Sequence, residues 1–354
     1  MKRIFRFGAW LALAAALLLA GCAEQSPRPE SVDTAAAPLV WPKPPEQERI
    51  RYLRSVSGPQ DWGISRSFLR RLIDALSGGG KALFIRPSAV AERDGVLYVA
   101  DPGAQALWIL DAPRDRYIRV TQIGGQGLVS PVALALGSGG TVFVADTGLR
   151  KVFLLDRDGA LIRSIATQGL ERPAGLAWDE TAQRLFVLDS LRHRVAVFDA
   201  NGALLRNLGE GGSQNGQFSH PTHITLDASG ALLVNDALNF RVQAIDEKGR
   251  FLWKFGRVGD GAGDFAAPKG IASDSAGHVY VVDALFDAVQ IFDRQGRLLL
   301  VFGEHGAGPG QFTLPGGIFI SAGDKVYVAD SYNRRVQIFL GAIATATAAK
   351  EKGK

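Results

Sequence analysis

The chain has 354 residues, a formal net charge of +5, 47% hydrophobic residues and a single cysteine. One cysteine excludes a fold held together by intramolecular disulfides. Three of the cations, Lys2, Arg3 and Arg6, lie within residues 1–21, which contain no acidic residue, so the rest of the chain has a net charge near +2. A charge this close to neutral argues against a nucleic-acid partner, because such partners select strongly basic surfaces.

The N-terminus has the layout of a secretory signal. Its basic residues precede an apolar run from Ala9 to Ala20, which is shorter than the roughly 20 residues that span a membrane. The next residues, Leu19-Ala20-Gly21-Cys22, resemble the lipobox of bacterial lipoproteins, in which the cysteine is lipidated. We therefore expect residues 1–21 to be removed as a signal peptide and Cys22 to anchor the protein in the bacterial envelope. Ala23, rather than an aspartate, follows Cys22, which favours the outer membrane or its periplasmic side in enterobacterial-type sorting.

Three further segments carry no strand pattern. Residues 22–45 are rich in Pro and Ala without apolar periodicity, which predicts a flexible tether. Residues 65–76 place their apolar side chains on one face of a helix. We expect this short helix to cover apolar surface of the fold, with docking to a partner as the alternative. Residues 342–354 are predicted to form a disordered tail.

A repeat of 43 to 47 residues organises the remainder of the chain. A proline precedes the first strand pattern of each unit, and an aspartate ends the second. Periods of this length are typical of β-propellers and solenoids. The prolines are Pro87, Pro131, Pro173, Pro221, Pro268 and Pro315, and the aspartates are Asp101, Asp146, Asp189, Asp236, Asp283 and Asp330.

Each unit contains the pattern of four short strands. In the fifth unit, apolar side chains alternate in Val279–Val282 and Val289–Phe292, and glycine-containing turns separate the strands, which is typical of antiparallel hairpins. No helix-length pattern separates the units, which excludes a parallel α/β fold. The sequence predicts an all-β, six-bladed β-propeller with four-stranded antiparallel blades over residues 46–341. The predicted repeats are 86–128, 130–170, 172–219, 220–266, 267–313 and 314–340.

The sixth unit lacks a fourth strand, because the chain enters its tail soon after Phe339. Residues 49–57 resemble the fourth strand of the other units. We predict that this N-terminal strand completes the last blade and closes the ring, which leaves no exposed sheet edge within the ring.

The sixth unit also carries a family signature. From Val326 to Phe339 it runs Val-Tyr-Val-Ala-Asp-Ser-Tyr-Asn-Arg-Arg-Val-Gln-Ile-Phe, which is similar to the consensus of the NHL repeat. The fourth and fifth units are close to it. The chain therefore resembles NHL-repeat six-bladed β-propellers, of the bacterial lipoprotein type. This resemblance implies the fold over residues 86–339 but no single function, since propellers host both binding modules and enzymes.

Features present in most units are expected to be structural. The repeat aspartates should accept hydrogen bonds from loop amides and pair with the basic residue five positions later. The expected pairs are Asp146 with Lys151, Asp189 with Arg194, Asp236 with Arg241, and Asp330 with Arg335.

A binding site is expected where the units differ. Two variable columns share one face by the geometry of the family. The column just before the repeat basic residue contains Gln105, Arg150, His193, Phe240, Asp287 and Arg334. The column two residues after the repeat proline contains Ala89, Ala133, Gly175, His223, Gly270 and Gly317. Their mixture of aromatic and charged residues suits recognition of a protein or peptide. The predicted binding rim is Arg150, His193, His223, Asn239, Phe240, Lys269, Phe286, Asp287, Tyr332 and Arg334.

These features favour a non-enzymatic, membrane-anchored propeller that binds a protein or ligand in the envelope, as a monomer and without a cofactor. The alternative is a metal-dependent hydrolase or lyase, gluconolactonase-like or amidating-lyase-like, with a divalent metal such as Zn or Ca at the channel mouth. Enzymes of this repeat class hold metals around the central channel, and a catalytic zinc needs about three protein ligands. The candidate ligands are His220, His223, Asn235 and Asp236.

Overall fold

The computed structural model describes residues 38–65, 83–165 and 169–341, which form β-strands and short 3₁₀ helices. None of the helices in these ranges is both long and apolar enough to cross a membrane. The predicted signal peptide, Cys22, the tail, and the helix over 65–76 apart from its first residue all lie outside the described residues. The 3₁₀ helices are Pro59–Trp62, Ala112–Arg114, Ser138–Gly140 and Ala237–Asn239.

Six four-stranded antiparallel blades confirm the predicted architecture. Two strands precede the first blade: β1 (Val40–Trp41) and β2 (Ile50–Val56). Blade one contains β3 (Ala89–Arg93), β4 (Val96–Asp101), β5 (Ala106–Asp111) and β6 (Arg116–Val120). A small hairpin of β7 (Gln122–Ile123) and β8 (Gln126–Gly127) follows. Blade two contains β9 (Pro131–Leu136), β10 (Val142–Asp146), β11 (Lys151–Leu155) and β12 (Leu161–Ile165).

The later blades repeat this order. Blade three contains β13 (Pro173–Asp179), β14 (Arg184–Asp189), β15 (Arg194–Asp199) and β16 (Leu204–Leu208). The short parallel pair β17 (Glu210–Gly211) and β18 (Gln217–Phe218) follows. Blade four contains β19 (His223–Leu226), β20 (Leu232–Asp236), β21 (Arg241–Ile245) and β22 (Phe251–Phe255). Blade five contains β23 (Pro268–Ser273), β24 (Val279–Asp283), β25 (Ala288–Phe292) and β26 (Leu298–Phe302). Blade six contains β27 (Ile318–Ile320), β28 (Lys325–Asp330) and β29 (Arg335–Gly341).

The N-terminal strand closes the ring, as predicted. Strand β2 pairs antiparallel with β29, with Ile50 opposite Gly341 and Val56 opposite Val336. The register shifts by one residue at Leu53. Strand β2 is therefore the fourth strand of blade six.

The fold begins earlier than the tether predicted over 22–45 would allow. Val40 and Trp41 form β1, which pairs with the outer side of β2. The Trp41 ring lies 5.8 Å from Phe302 and 5.9 Å from Phe339 between ring centroids. The predicted boundary was wrong because two apolar residues among prolines are too short a pattern to indicate a strand.

The core consists of six apolar clusters, each formed between two neighbouring blades. Phe218, Phe265 and Phe312 occupy equivalent places before the first strands of blades four to six and are fully buried. The blades pack tightly on one another through these clusters, so that the first strands, β3, β9, β13, β19, β23 and β27, line the axis of the ring.

Candidate functional site

A wide cavity of about 890 Å³ opens at one end of the axis. All six blades contribute to it through the loops before their first strands and the turns after their second strands. A second cavity, of about 580 Å³, is lined mainly by the first strands and their following turns. His223 lines both cavities. We call the larger cavity the mouth, and the predicted site residues that line it are His220, His223, Phe240, Lys269 and Tyr332.

The repeat aspartates hold the loops of this face, as predicted. All six are fully buried. Asp101 accepts hydrogen bonds from the backbone N–H groups of Ile85, at 2.7 Å, and Arg86, at 2.9 Å. Equivalent bonds reach the loop before the first strand in every other blade. Their carboxylates thereby satisfy loop amides that would otherwise be unpaired.

The expected pairing of these aspartates with basic residues holds in only some blades. Nε of Arg241 lies 2.8 Å from Asp236, and Nε of Arg335 lies 2.7 Å from Asp330. Arg194 instead donates to the backbone oxygen of Gly169, and Lys151 donates to Gln126. The prediction was wrong for those two residues, whose side chains donate to a backbone or amide oxygen in place of the aspartate.

The residues of the first variable column share a backbone conformation that belongs to a turn. All six of its residues have left-handed backbone conformations, with φ between 49° and 57°. Non-glycine residues rarely adopt this region. The turn that leads into the third strand imposes it in every blade, whatever the side chain. The residues are Gln105, Arg150, His193, Phe240, Asp287 and Arg334.

The side chains of two members of this column form hydrogen bonds with neighbouring loops and are not presented to a binding partner. Asp287 is buried and accepts hydrogen bonds from the N–H of Leu314, at 2.6 Å, and from Nδ1 of His305, at 2.7 Å. His193 Nδ1 accepts a hydrogen bond from the N–H of His220 at 3.0 Å. Asp287 was predicted to lie on an open rim, and its burial corrects that prediction: the side chain orders the loop of the next blade.

The other predicted rim residues are dispersed. Arg150 and Arg334 occupy the turn position in blades two and six and are exposed, and Phe286 is half-buried. None of the three lines the mouth. Asn239 donates to Asp236 and to the backbone oxygen of Gly212 and so takes part in the loop network.

The second variable column is dominated by close packing around the axis. The N–H of Gly317 donates to the backbone oxygen of Ser88 at 2.8 Å, and a Cβ on Gly317 would lie 2.6 Å from that oxygen. A Cβ on Gly270 would meet the backbone of Gly316 at 2.8 Å. Of this column, only His223 presents a functional side chain.

His223 is neutral at physiological pH. Burial, and to a smaller extent the nearby Lys269 cation, lower the pKa of its imidazole, and a hydrogen bond with the Lys269 backbone partly opposes both, so that the pKa is about 4. Its Nδ1 is buried without a hydrogen-bond partner. Asn235, directly across the strand pair, also has a buried Oδ1 without a partner, while its Nδ2 donates to the backbone oxygen of Lys269 at 2.8 Å.

The four candidate metal ligands do not form one cluster. Among the described residues, no three His, Cys, Asp or Glu side chains are placed to hold a metal ion. Asp236 is occupied by loop and arginine hydrogen bonds, and the His220 ring packs edge-on against His193 at 4.5 Å. Of the buried side-chain atoms of these four residues, His223 Nδ1 and Asn235 Oδ1 lack a hydrogen-bond partner.

The mouth is cationic. Arg86, Arg172 and Lys269 line it and are exposed, whereas no Asp or Glu is found among the described residues of its lining. The repeat aspartates of this face are buried beneath the loops, and Glu171 forms an ion pair with Arg192 at 3.1 Å. The carboxylates of the face are thus withdrawn from the cavity, while three cations remain in it.

The same face carries a set of exposed apolar side chains, of which only Tyr332 belongs to the predicted binding rim. In blades three to six they lie two residues after the repeat aspartate and are 45 to 64% exposed. Blades one and two have glycine at this position, and Ile85 and Val129, which are 50% and 45% exposed, lie against those glycines. The constant 47-residue step between the four later residues was the available signal. We call this set the apolar ring: Ile85, Val129, Leu191, Leu238, Leu285 and Tyr332.

Comparison with known proteins agrees with the fold. Residues 312–339 match the NHL repeat. A protein of unknown function from Bacteroides thetaiotaomicron VPI-5482 superposes with a TM-score of 0.60 at 18% identity, over 74% of this chain and 70% of that one. An auxiliary nutrient binding protein from the same organism gives 0.57 at 15% identity, over 73% and 70%. Virginiamycin B lyase from Staphylococcus aureus gives 0.55 at 14% identity, over 72% and 95%. No curated protein matches the sequence. At these identities the likeness shows the fold alone.

Proposed function

We propose that this chain, a six-bladed β-propeller of the NHL-repeat family, is a binding module of the bacterial envelope that captures an anionic ligand at the mouth. The observation that carries the proposal is the charge of the cavity: Arg86, Arg172 and Lys269 face it, and the part of the lining that the structure describes contains no carboxylate. Envelope location rests on the predicted lipidation of Cys22.

The arrangement of the three cations supports anion capture rather than general solubility. They come from blades one, three and five, so they surround the axis instead of forming a stripe on one side. Like charges that converge on a concave surface raise its potential and attract ligands of opposite sign. Arginine also offers paired N–H donors that match a carboxylate or phosphate.

Binding is favoured over catalysis by the titratable groups of the mouth. A general base works best with a pKa near the operating pH. The pKa of His223 is held near 4 and its Nδ1 is buried, so it is a weak base at neutral pH. Within residues 38–65, 83–165 and 169–341, the lining includes no carboxylate that could take that role instead.

The test is binding of a fluorescein-labelled hexaglutamate peptide, followed by fluorescence anisotropy. We expect saturable binding that weakens as NaCl is raised from 50 to 300 mM, and no binding of hexalysine. The variant Lys269→Ala should bind roughly tenfold less tightly, the order expected for one charge-assisted contact. Lys248→Ala, an exposed lysine in the turn after β21, is the matched control and should bind as the wild type does. Absence of hexaglutamate binding, or equal losses in both variants, would refute anion capture.

The metal-dependent hydrolase or lyase remains the second candidate. It is supported by the buried, unpartnered Nδ1 of His223 and Oδ1 of Asn235 on paired strands. Elemental analysis of the purified protein decides this alternative: stoichiometric zinc or calcium that is lost in His223→Ala would favour it over the binding module.

A further inference from the structure

We infer that the anionic ligand is a polypeptide segment in which apolar side chains flank acidic ones, and that the apolar ring grips those apolar side chains while the mouth holds the acidic ones. This inference rests on the proposed function and specifies the chemistry of its ligand.

The first observation is the position of the apolar ring. Leu238 and Tyr332 themselves line the mouth, and Ser190 and Ala284, which immediately precede Leu191 and Leu285, line it as well. The apolar ring therefore borders the cationic cavity. Six exposed apolar side chains around one polar cavity are characteristic of an interaction site, because apolar surface is unfavourable in water unless a partner covers it.

The second observation is that two different sequence positions supply the ring. Leu191, Leu238, Leu285 and Tyr332 occupy the same place in the repeat, so duplication alone could explain them. Blades one and two have Gly103 and Gly148 there. A Cβ on Gly148 would lie 2.5 Å from a methyl group of Val129, and a Cβ on Gly103 would lie 3.0 Å from one of Ile85.

In those two blades a side chain from the preceding loop fills the place that the glycine leaves open. An exposed apolar side chain is thus present in all six blades even where the repeat position does not supply it. Repeat architecture does not require this replacement, whereas a ligand that contacts the whole circumference does.

The shape and charge of the face select a polypeptide. The ring involves every blade, so a ligand that contacts most of it must be larger than a small molecule seated in the mouth. Interfaces of this kind place aromatic and aliphatic anchors around complementary charges. A flat membrane surface fits less well, because the three cations line a concave cavity rather than projecting beyond the apolar ring.

The experiment compares two probes on the full chain: the hexaglutamate peptide and a labelled octapeptide of alternating glutamate and leucine. We expect the octapeptide to bind at least about tenfold more tightly, since several half-buried leucine contacts add to the charge contacts. The double variant Leu191→Ser/Leu285→Ser changes two apolar-ring residues that do not line the mouth. It should abolish this gain and leave hexaglutamate binding unchanged.

A matched control and a lipid probe complete the test. Leu204 and Leu205 are similarly exposed, at 49% and 47%, on the outer strand β16, and Leu204→Ser/Leu205→Ser should retain the octapeptide gain. Unchanged melting temperatures verify that both variants fold. If hexaglutamate binds but the octapeptide shows no gain, the inference fails and anion capture stands; if neither peptide binds, both fail. Tighter binding to phosphatidylglycerol vesicles than to the octapeptide, lost in Leu191→Ser/Leu285→Ser, would replace the polypeptide with a lipid surface.

Discussion

Tyr52 lies edge-on against Phe339, with ring centroids 5.7 Å apart and ring planes at 74°, where β2 and β29 pair in blade six. Phe339 also contacts Trp41 and Phe302. Aromatic pairs in this geometry add about 0.5–1.5 kcal/mol each beyond their burial. The closure of the ring therefore rests on a side-chain cluster as well as on backbone hydrogen bonds.

Shortening Ile50 should weaken this closure. Ile50 is fully buried in the cluster between blades five and six, and Ile→Ala substitutions at such sites cost about 2–5 kcal/mol. We expect Ile50→Ala to lower the free energy of unfolding by that amount in urea titrations. Leu53→Ala, on the same strand but 42% exposed, should cost less than about 1 kcal/mol. Equal effects of the two substitutions would contradict the pairing of β2 with β29 described above.

Removing the carboxylate of Asp236 should destabilise the fold more than an exposed ion pair would. Asp236 is fully buried, and its partner Arg241 is nearly so. Loss of one partner from such a pair costs about 3–5 kcal/mol, because the other charge stays buried. Asp236→Ala is therefore expected to shift the urea midpoint strongly, whereas Glu247→Ala, which removes the exposed pair with Arg184, should change stability by less than about 1 kcal/mol.

The left-handed turn position predicts that two substitutions of one residue change the stability of the fold by different amounts. Arg334 is exposed and has φ of 57°. A β-branched side chain is strained there, so Arg334→Val should destabilise by about 1–2 kcal/mol. Arg334→Gly relieves the strain at the cost of a more flexible unfolded chain and should change stability by less than about 1 kcal/mol. Thermal unfolding distinguishes them; a valine variant as stable as the glycine variant would show that the turn relaxes.

Stability should depend on pH through His223. Its folded pKa is about 4, against a reference value of 6.5, so as the pH falls the unfolded chain takes up a proton before the native protein does. The contribution is small at pH 7.5 and destabilises the fold through the window between 6.5 and 4, by about 2 kcal/mol at pH 5. His223→Gln should lose less stability than the wild type between pH 7.5 and pH 5, as measured by urea unfolding at both values. Identical losses would place the imidazole pKa near its ordinary value.

The number of blades and the closing strand were predictable because two markers, the prolines and the aspartates, keep one period. Strand β1 was not predictable from its own residues. Trp41 packs against Phe302 and Phe339, which lie far along the chain. A two-residue strand has no periodicity of its own to detect.

The candidate site was only partly predictable, since one column mixes turn geometry with surface chemistry. Phe240 lines the mouth, whereas Asp287 from the same column is buried under the next loop. Variation between repeats indicates freedom from the repeat consensus and does not tell which neighbour a side chain contacts. The leucines of the apolar ring were missed for a related reason: an apolar residue next to a strand resembles core until the turn that exposes it is known.

The pairing of β2 with β29 makes the second and the last of the described strands neighbours in one sheet. A circularly permuted chain, with new termini in the loop between blades four and five and a linker joining residue 341 to residue 50, would retain every strand pairing within the blades. In the natural order, the strand that seals the last blade is made before every strand of the blades themselves. Its partner β29 is not made until synthesis reaches Arg335–Gly341, so the last blade can be completed only after that point.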